Sequence, residues 1–181
     1  GSGTVTLRWP AVHAGDWTVT GHEQYSDNIK VLQGNLLVKS GGRLELTNYT
    51  LRMANTLSTA YSIEVEEGGT IVFEDVDVYS TLSSVKFPWD IAGTAHIRNS
   101  TIKHVEGGVH IISDDVELRG STVDANNIDV GVHADYCLPV INDTTIENSL
   151  GAGLLATGAL ETSGPAPLGN GPVSGLLLRD N

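Results

Sequence analysis

Apolar and polar residues alternate along most of this chain in short runs separated by turns, and one phrase keeps returning. It reads apolar, any residue, Asn or Asp, any residue, Ser/Thr/Asp, apolar. Copies are LTNYTL from Leu46, FEDVDV from Phe73, IRNSTI from Ile97, LRGSTV from Leu118 with Gly in the Asn/Asp place, INDTTI from Ile141 and a truncated LRDN from Leu178. Successive copies start 27, 24, 21, 23 and 37 residues apart. The long last interval holds the loop SGPAPLGNGPVSG (163–175), whose Pro and Gly residues cannot continue a strand.

A second phrase precedes the first and keeps step with it: LLVKSGGRLEL from Leu36, IEVEEGGTIVF from Ile63, VHIISDDVEL from Val109 and VHADYCLPVI from Val132. Each is a short alternating strand, a turn of small or acidic residues, and another alternating strand. Period-two alternation buries one face, because successive side chains on a strand point to opposite sides. Strands this short cannot each enclose a core, but stacked cycles can, with equivalent apolar residues piled into inward ladders. Three ladders are predicted: Leu44, Ile71, Ala95, Val116 and Val140; Leu46, Phe73, Ile97, Leu118 and Ile141; and Leu51, Val78, Ile102, Val123 and Ile146.

The fold expected is therefore all-β, a right-handed parallel β-helix of about six coils. No segment carries a helical period over ten residues, as a leucine-rich repeat would need for its return, and β-sandwich strands need not repeat in sequence. The expected organisation is cap strands over 1–28 and β-helix over 29–181, with the loop at 163–175. Trp9 and Trp17 would plug the first coil. Thr4, Val5, Thr6 and Leu7, in an alternating strand outside the repeat, either cap that coil or add to the edge of a neighbour. The repeat stops at Leu176, Leu177, Leu178 and the residues after them without a polar cap, leaving an open or truncated end. Copies of the chain end to end, or further domains of a longer chain, are the partners this implies.

The phrases GVHIISDDVELRGSTV from Gly108 and AHIRNSTI from Ala95 resemble the right-handed parallel β-helix repeat proteins. That group includes pectate-lyase-like and NosD-like domains and many large microbial surface proteins. The opening from Gly15, GDWTVTGHEQYSDNIKVLQGNLLVKSGGRLELTNYTL, is similar to the start of such a domain. The resemblance implies the fold over residues 29–181 and an extracellular or cell-surface setting. It implies no single activity, since the family hosts lyases, hydrolases, binding modules and passive scaffolds.

Charge narrows the partners. The net charge is −12, and the ten basic residues are scattered, whereas a nucleic-acid surface clusters Lys and Arg to neutralise phosphates. No nucleic-acid partner is expected. The acidity reads either as solubility or as attraction for calcium or another divalent metal; otherwise no cofactor is expected. No apolar run reaches the ~18–20 residues of a membrane-spanning helix. Cys137 is the single cysteine, which rules out an intramolecular disulfide and a multi-thiolate metal site.

Candidate chemistry follows from the register. With Val109, Ile111, Val132 and Ala134 inward, His110, His133 and Asp135 point outward, the two histidines stacked ~4.8 Å apart. Glu64 and Glu66 hold earlier equivalent positions, and Leu37 and Leu155 flank the ladder. The group reads as a metal or acid–base cluster, or as solvated side chains on an exposed strand. Asp114-Asp115 is similar to the paired aspartates of pectin-hydrolysing β-helix enzymes. No Gly-His-Gly or Arg-Ile-Lys follows it, however, and it holds the turn position of Gly41-Gly42 and Gly68-Gly69. Asn48, Asn99 and Asn142 satisfy the glycan-acceptor rule. Asn48 and Asn99 lie in the Asn/Asp column, where an inward amide can cap a turn, so Asn142 is the preferred acceptor. Tyr49, Tyr79 and Trp89 are candidate sugar platforms. The leading expectation is a non-catalytic structural, assembly or adhesion module of a cell surface or filament. The alternatives are a polysaccharide lyase or glycoside hydrolase acting around His110, His133 and Asp135, and a carbohydrate- or metal-binding module.

Overall fold

The computed structural model of the chain describes residues 10–157, without the side chains of 126–129, and the backbone of Leu177–Arg179. Sixteen strands and no helix occupy the described residues. They are β1 Ala11–Ala14, β2 Trp17–Val19, β3 His22–Gln33, β4 Leu36–Val38, β5 Arg43–Met53, β6 Ile63–Val65, β7 Thr70–Ser80 and β8 Phe87–Ile91. After them come β9 Thr94–Arg98, β10 Thr101–Lys103, β11 Val105–Ile111, β12 Val116–Arg119, β13 Thr122–Asp135, β14 Val140–Asn142, β15 Thr145–Thr157 and β16 Leu177–Arg179. All named pairings are parallel, and the chain winds as a β-solenoid of about six turns.

Three walls result. The first stacks β2, β4, β6, β8, β11 and the C-terminal ends of β13 and β15. The second stacks the start of β3, β5 and β7 with β9, β12 and β14. The third stacks β1, the ends of β3, β5 and β7, then β10, the starts of β13 and β15, and β16. Two expected ladders form throughout: Leu46–Phe73–Ile97–Leu118–Ile141, and Leu51–Val78–Ile102–Val123–Ile146, which continues through the backbone register to Leu178. Every described side chain in them is buried. The first ladder runs Leu44–Ile71–Ala95–Val116 but does not include Val140, which pairs with Glu117 and is only half-buried. Ile141 is inward, so its immediate neighbour Val140 must face out. Pro139, two residues before Ile141, is the buried one.

The Asn/Asp column has a backbone cause. Asp27, Asn48, Asp75, Asn99, Gly120 and Asp143 all adopt φ between 48° and 59°, turning the chain from the second wall to the third. Asn and Asp tolerate this left-handed conformation better than other side-chain-bearing residues, and Gly tolerates it freely. The side chains of Asn48 and Asn99 are exposed, a correction to the inward amides expected in this column. Asn48 Nδ2 donates to Asp27 Oδ1 (2.6 Å), and Asn99 Nδ2 to Glu74 Oε1 (2.8 Å). The inward hydroxyl column is one residue later. Buried Ser100 accepts from the Val76 N–H (3.0 Å), buried Ser121 accepts from the Ser100 N–H (3.2 Å), and the buried Thr144 hydroxyl donates to Leu118 O (3.3 Å).

Trp17 is buried in the first coil, as expected of a plug. Glu23, Tyr25 and Lys30 occupy the columns that later hold Leu44, Leu46 and Leu51. The expected division at residue 28 falls inside β3. Trp9, Thr4, Val5, Thr6, Leu7, Leu176 and the loop 163–175 lie outside the described residues. Of the predicted assembly positions, Leu177 and Leu178 are placed, in β16 beside Thr145 and Ile146.

Candidate functional site

The outward column of the first wall is Thr18, Leu37, Glu64, Asp90, His110, His133 and Leu155, one residue per coil. From Thr18 to His133 each is positioned by the same device, an apolar residue on either side pinned inward, whereas Leu155 lies between half-buried Leu154 and exposed Ala156. Val109 and Ile111 flank His110, and Val132 and Ala134 flank His133; all four are buried. The two imidazoles stack, with ring centroids 5.1 Å apart and planes inclined by 28°. Leu37 and Leu155 stand in the same column, and Glu64 is register partner of Asp90.

Hydrogen bonds extend the histidine pair in both directions along the stack. His110 Nδ1–H donates to Asp90 Oδ1 at 2.9 Å. His133 Nε2 lies 3.3 Å from Thr157 Oγ1, and the Thr157 hydroxyl donates to Asp135 Oδ1. With its proton committed to Asp135, the Thr157 oxygen accepts from His133 Nε2–H. The line Asp90–His110, stacked on His133–Thr157–Asp135, spans four successive coils.

Among the described residues no three His, Cys, Asp or Glu side chains converge on a point where they could share a cation. Asp135 does not join the histidines as a third ligand. It lies two residues beyond His133 along the strand, roughly 7 Å away by strand geometry, and is engaged by Thr157. Asp90 and Thr157 are the members that sequence reasoning missed. Asp90 carried a usable signal, since Trp89-Asp90-Ile91 has the same in-out-in pattern as Ile63-Glu64-Val65 and Val109-His110-Ile111. Thr157 carried none of comparable strength.

The remaining candidates separate cleanly. Asp114 and Asp115 form an exposed bend, where Asp114 Oδ1 accepts from the Leu138 N–H at 2.7 Å; they serve the turn. Tyr49 and Trp89, proposed as sugar platforms, are buried, because their positions in β5 and β8 point inward. Tyr79 is half-buried, with the Arg52 guanidinium 5.6 Å from its ring centroid. Tyr136, directly after Asp135, is 80% exposed at φ 53°. Asn142 is half-buried in β14 opposite Arg119, and the Thr144 of its acceptor motif is buried. Cys137 is buried, its Sγ–H directed at Ile111 O (3.1 Å), and burial pushes its thiol above the usual range.

The outer faces of the second and third walls carry ion pairs between coils. Glu117 accepts from Arg98 one coil before (2.7 Å) and lies 3.5 Å from His96 and, within its own strand, 2.9 Å from Arg119; Lys103 faces Asp124 at 3.8 Å. At the edge of the first wall Lys39 meets Glu66 at 2.5 Å. The hydrogen bond from Arg98, with the charges of both arginines, holds the Glu117 carboxyl below the ordinary carboxylate range.

Comparison with family models, with curated proteins and with solved structures finds no match to this chain. The parallel solenoid stands on the register alone.

Proposed function

We propose that this chain is a non-catalytic structural module, a rigid β-solenoid that spaces or displays adhesive elements at a cell surface or in an extracellular filament. One observation carries the reading: among the described residues the ion pairs of the outer walls close between neighbours, chiefly from one coil to the next, and no three His, Cys, Asp or Glu side chains gather at one point. Arg98 closes on Glu117, Lys39 on Glu66, Lys103 on Asp124 and His110 on Asp90, each across two coils. A hydrolytic or eliminative site needs the reverse, an acid and a base aimed into one concavity around the substrate. Pairing along the stack ties each coil to the next and adds to the continuous apolar columns within, which suits a stiff spacer.

The test is turnover. The full chain is incubated with a panel of acidic and neutral polysaccharides, and released reducing ends and unsaturated products are measured. No release above buffer is expected. Depolymerisation by the native chain that disappears in His133→Ala would overturn the proposal and favour a polysaccharide lyase or hydrolase.

A further inference from the structure

The histidine pair has a property that the scaffold does not use. Six histidines occur in the chain, and only His110 and His133 are register partners of one another. His22 faces Arg43 and lies 3.3 Å from Glu45; His96 stands between Val72 and Glu117. His13 and His104 reach backbone oxygens of Asp16 and Ser80. Only at residues 110 and 133 do two imidazoles share one surface.

Each of the two rings has one nitrogen already committed. His110 spends Nδ1–H on Asp90, leaving Nε2 as the lone-pair nitrogen. His133 spends Nε2–H on Thr157, which Asp135 holds in place, leaving Nδ1. Metal-bound histidines are oriented in this way: the far N–H donates to a carboxylate or another fixed oxygen, which sets the tautomer and raises the basicity of the near nitrogen. The partners lie on opposite sides of the stack, Asp90 one coil before and Thr157 one coil after. A cation bonded at ~2.0–2.1 Å to both free nitrogens needs them within about 4 Å of each other. The ring centroids are 5.1 Å apart with planes inclined by 28°, so the two rings stand side by side and must turn about their Cβ–Cγ bonds for both free nitrogens to face one cation.

We propose that His110 and His133 form a two-imidazole site for a borderline divalent cation such as Zn²⁺, Ni²⁺ or Cu²⁺, with Asp90 and the Thr157–Asp135 pair as positioning residues. Nitrogen donors select this class over Ca²⁺, which takes oxygen ligands. Two protein ligands leave the other coordination positions to water, so the bound ion is exchangeable.

The experiment is titration of the chelator-treated full chain with NiCl₂ and ZnCl₂ by calorimetry. One cation per chain is expected in the tightest phase. His110→Ala and His133→Ala should each weaken it at least tenfold, while His22→Ala and His96→Ala leave it unchanged. Asp90→Asn is expected to weaken it by about tenfold, the usual effect of removing such a partner. CaCl₂ should give no heat that depends on His133. Imidazole resonances supply a measurement that needs no variant, since those of His110 and His133 should move with Zn²⁺ while the other four stay. A loss of less than about tenfold in either His→Ala variant, or no binding by the native chain, overturns the proposal.

Discussion

Lys30 Nζ lies 3.2 Å from the centroid of the Trp17 indole, in a column that carries aliphatic side chains from Leu51 to Ile146. The Tyr25 ring stands 4.9 Å from the same amine, and Glu23 Oε2 accepts from both Trp17 Nε1 and Tyr25 OH at 3.0 Å. Partial burial pushes the Lys30 amine below its ordinary value, against the pull of Glu23. Cation–π contact and the shared carboxylate hold polar groups over one end of the apolar stack, as solenoid caps require.

If these residues act as a cap, apolar replacements should make that end adhesive. In a Glu23→Leu, Tyr25→Leu, Lys30→Leu triple variant, the sedimentation coefficient is expected to rise with protein concentration more steeply than in the native chain. Identical concentration profiles for the two would remove the capping role.

The ladders predict a sharp contrast between inward and outward positions. Phe73 is buried between Leu46 and Ile97 and packs near Trp89, with centroids 6.1 Å apart. Phe73→Ala should cost about 3–5 kcal/mol in denaturant unfolding. Leu57, 91% exposed, should lose less than about 0.5 kcal/mol on the same truncation.

The buried hydroxyl column gives a third test. Ser121 Oγ accepts from the Ser100 N–H and donates to Arg119 O at 3.0 Å. Ser121→Ala leaves the buried Ser100 N–H without its acceptor, at an expected cost of about 1–3 kcal/mol. An exposed serine such as Ser58 should tolerate the same change without a measurable shift in midpoint.

A fourth prediction concerns acid. The Glu117 carboxyl is held below its ordinary value in the folded chain, first by the hydrogen bond from Arg98 and then by the charges of Arg98 and Arg119. The folded state therefore binds fewer protons than the unfolded one, and the contribution of Glu117 is complete above the ordinary carboxylate value of about 4.3. It is lost as pH falls through that value toward the lower folded one. Both arginines are about half-exposed, so the network is worth about 1 kcal/mol or less. Glu117→Gln should lower stability by that amount at pH 7 and by progressively less below pH ~4. A difference that stays constant with pH would exclude the ionic contribution.

The two histidines could be placed from the sequence because three conditions coincide. Their flanking residues are apolar on both sides, the phrases around them match, and period-two alternation then leaves no choice of face. Where the flanks are less regular, local pattern misleads. Val140, expected in a ladder, directly precedes the inward Ile141 and so faces out. Trp89 lies near the repeat's return, which suggests an exposed platform, but its place in β8 turns it inward. Asn48 and Asn99 share the Asn/Asp column of the repeat, which suggests inward amides. The cause is instead a left-handed backbone, which leaves the amides outside.

From the sequence alone came the all-β class, the number of coils and two complete inward columns, since recurrence of apolar residues at a fixed spacing is a property of the chain itself. The tertiary structure decided which polar groups meet. Asp90, His110, His133, Asp135 and Thr157 lie in four different coils, and their hydrogen bonds depend on rotamers and on the alignment of strands dozens of residues apart. The polar closure by Glu23, Tyr25 and Lys30 likewise emerges only when their positions are stacked beneath Leu44, Leu46 and Leu51. Local alternation determines which way a side chain faces; the stacking of distant coils determines what it touches.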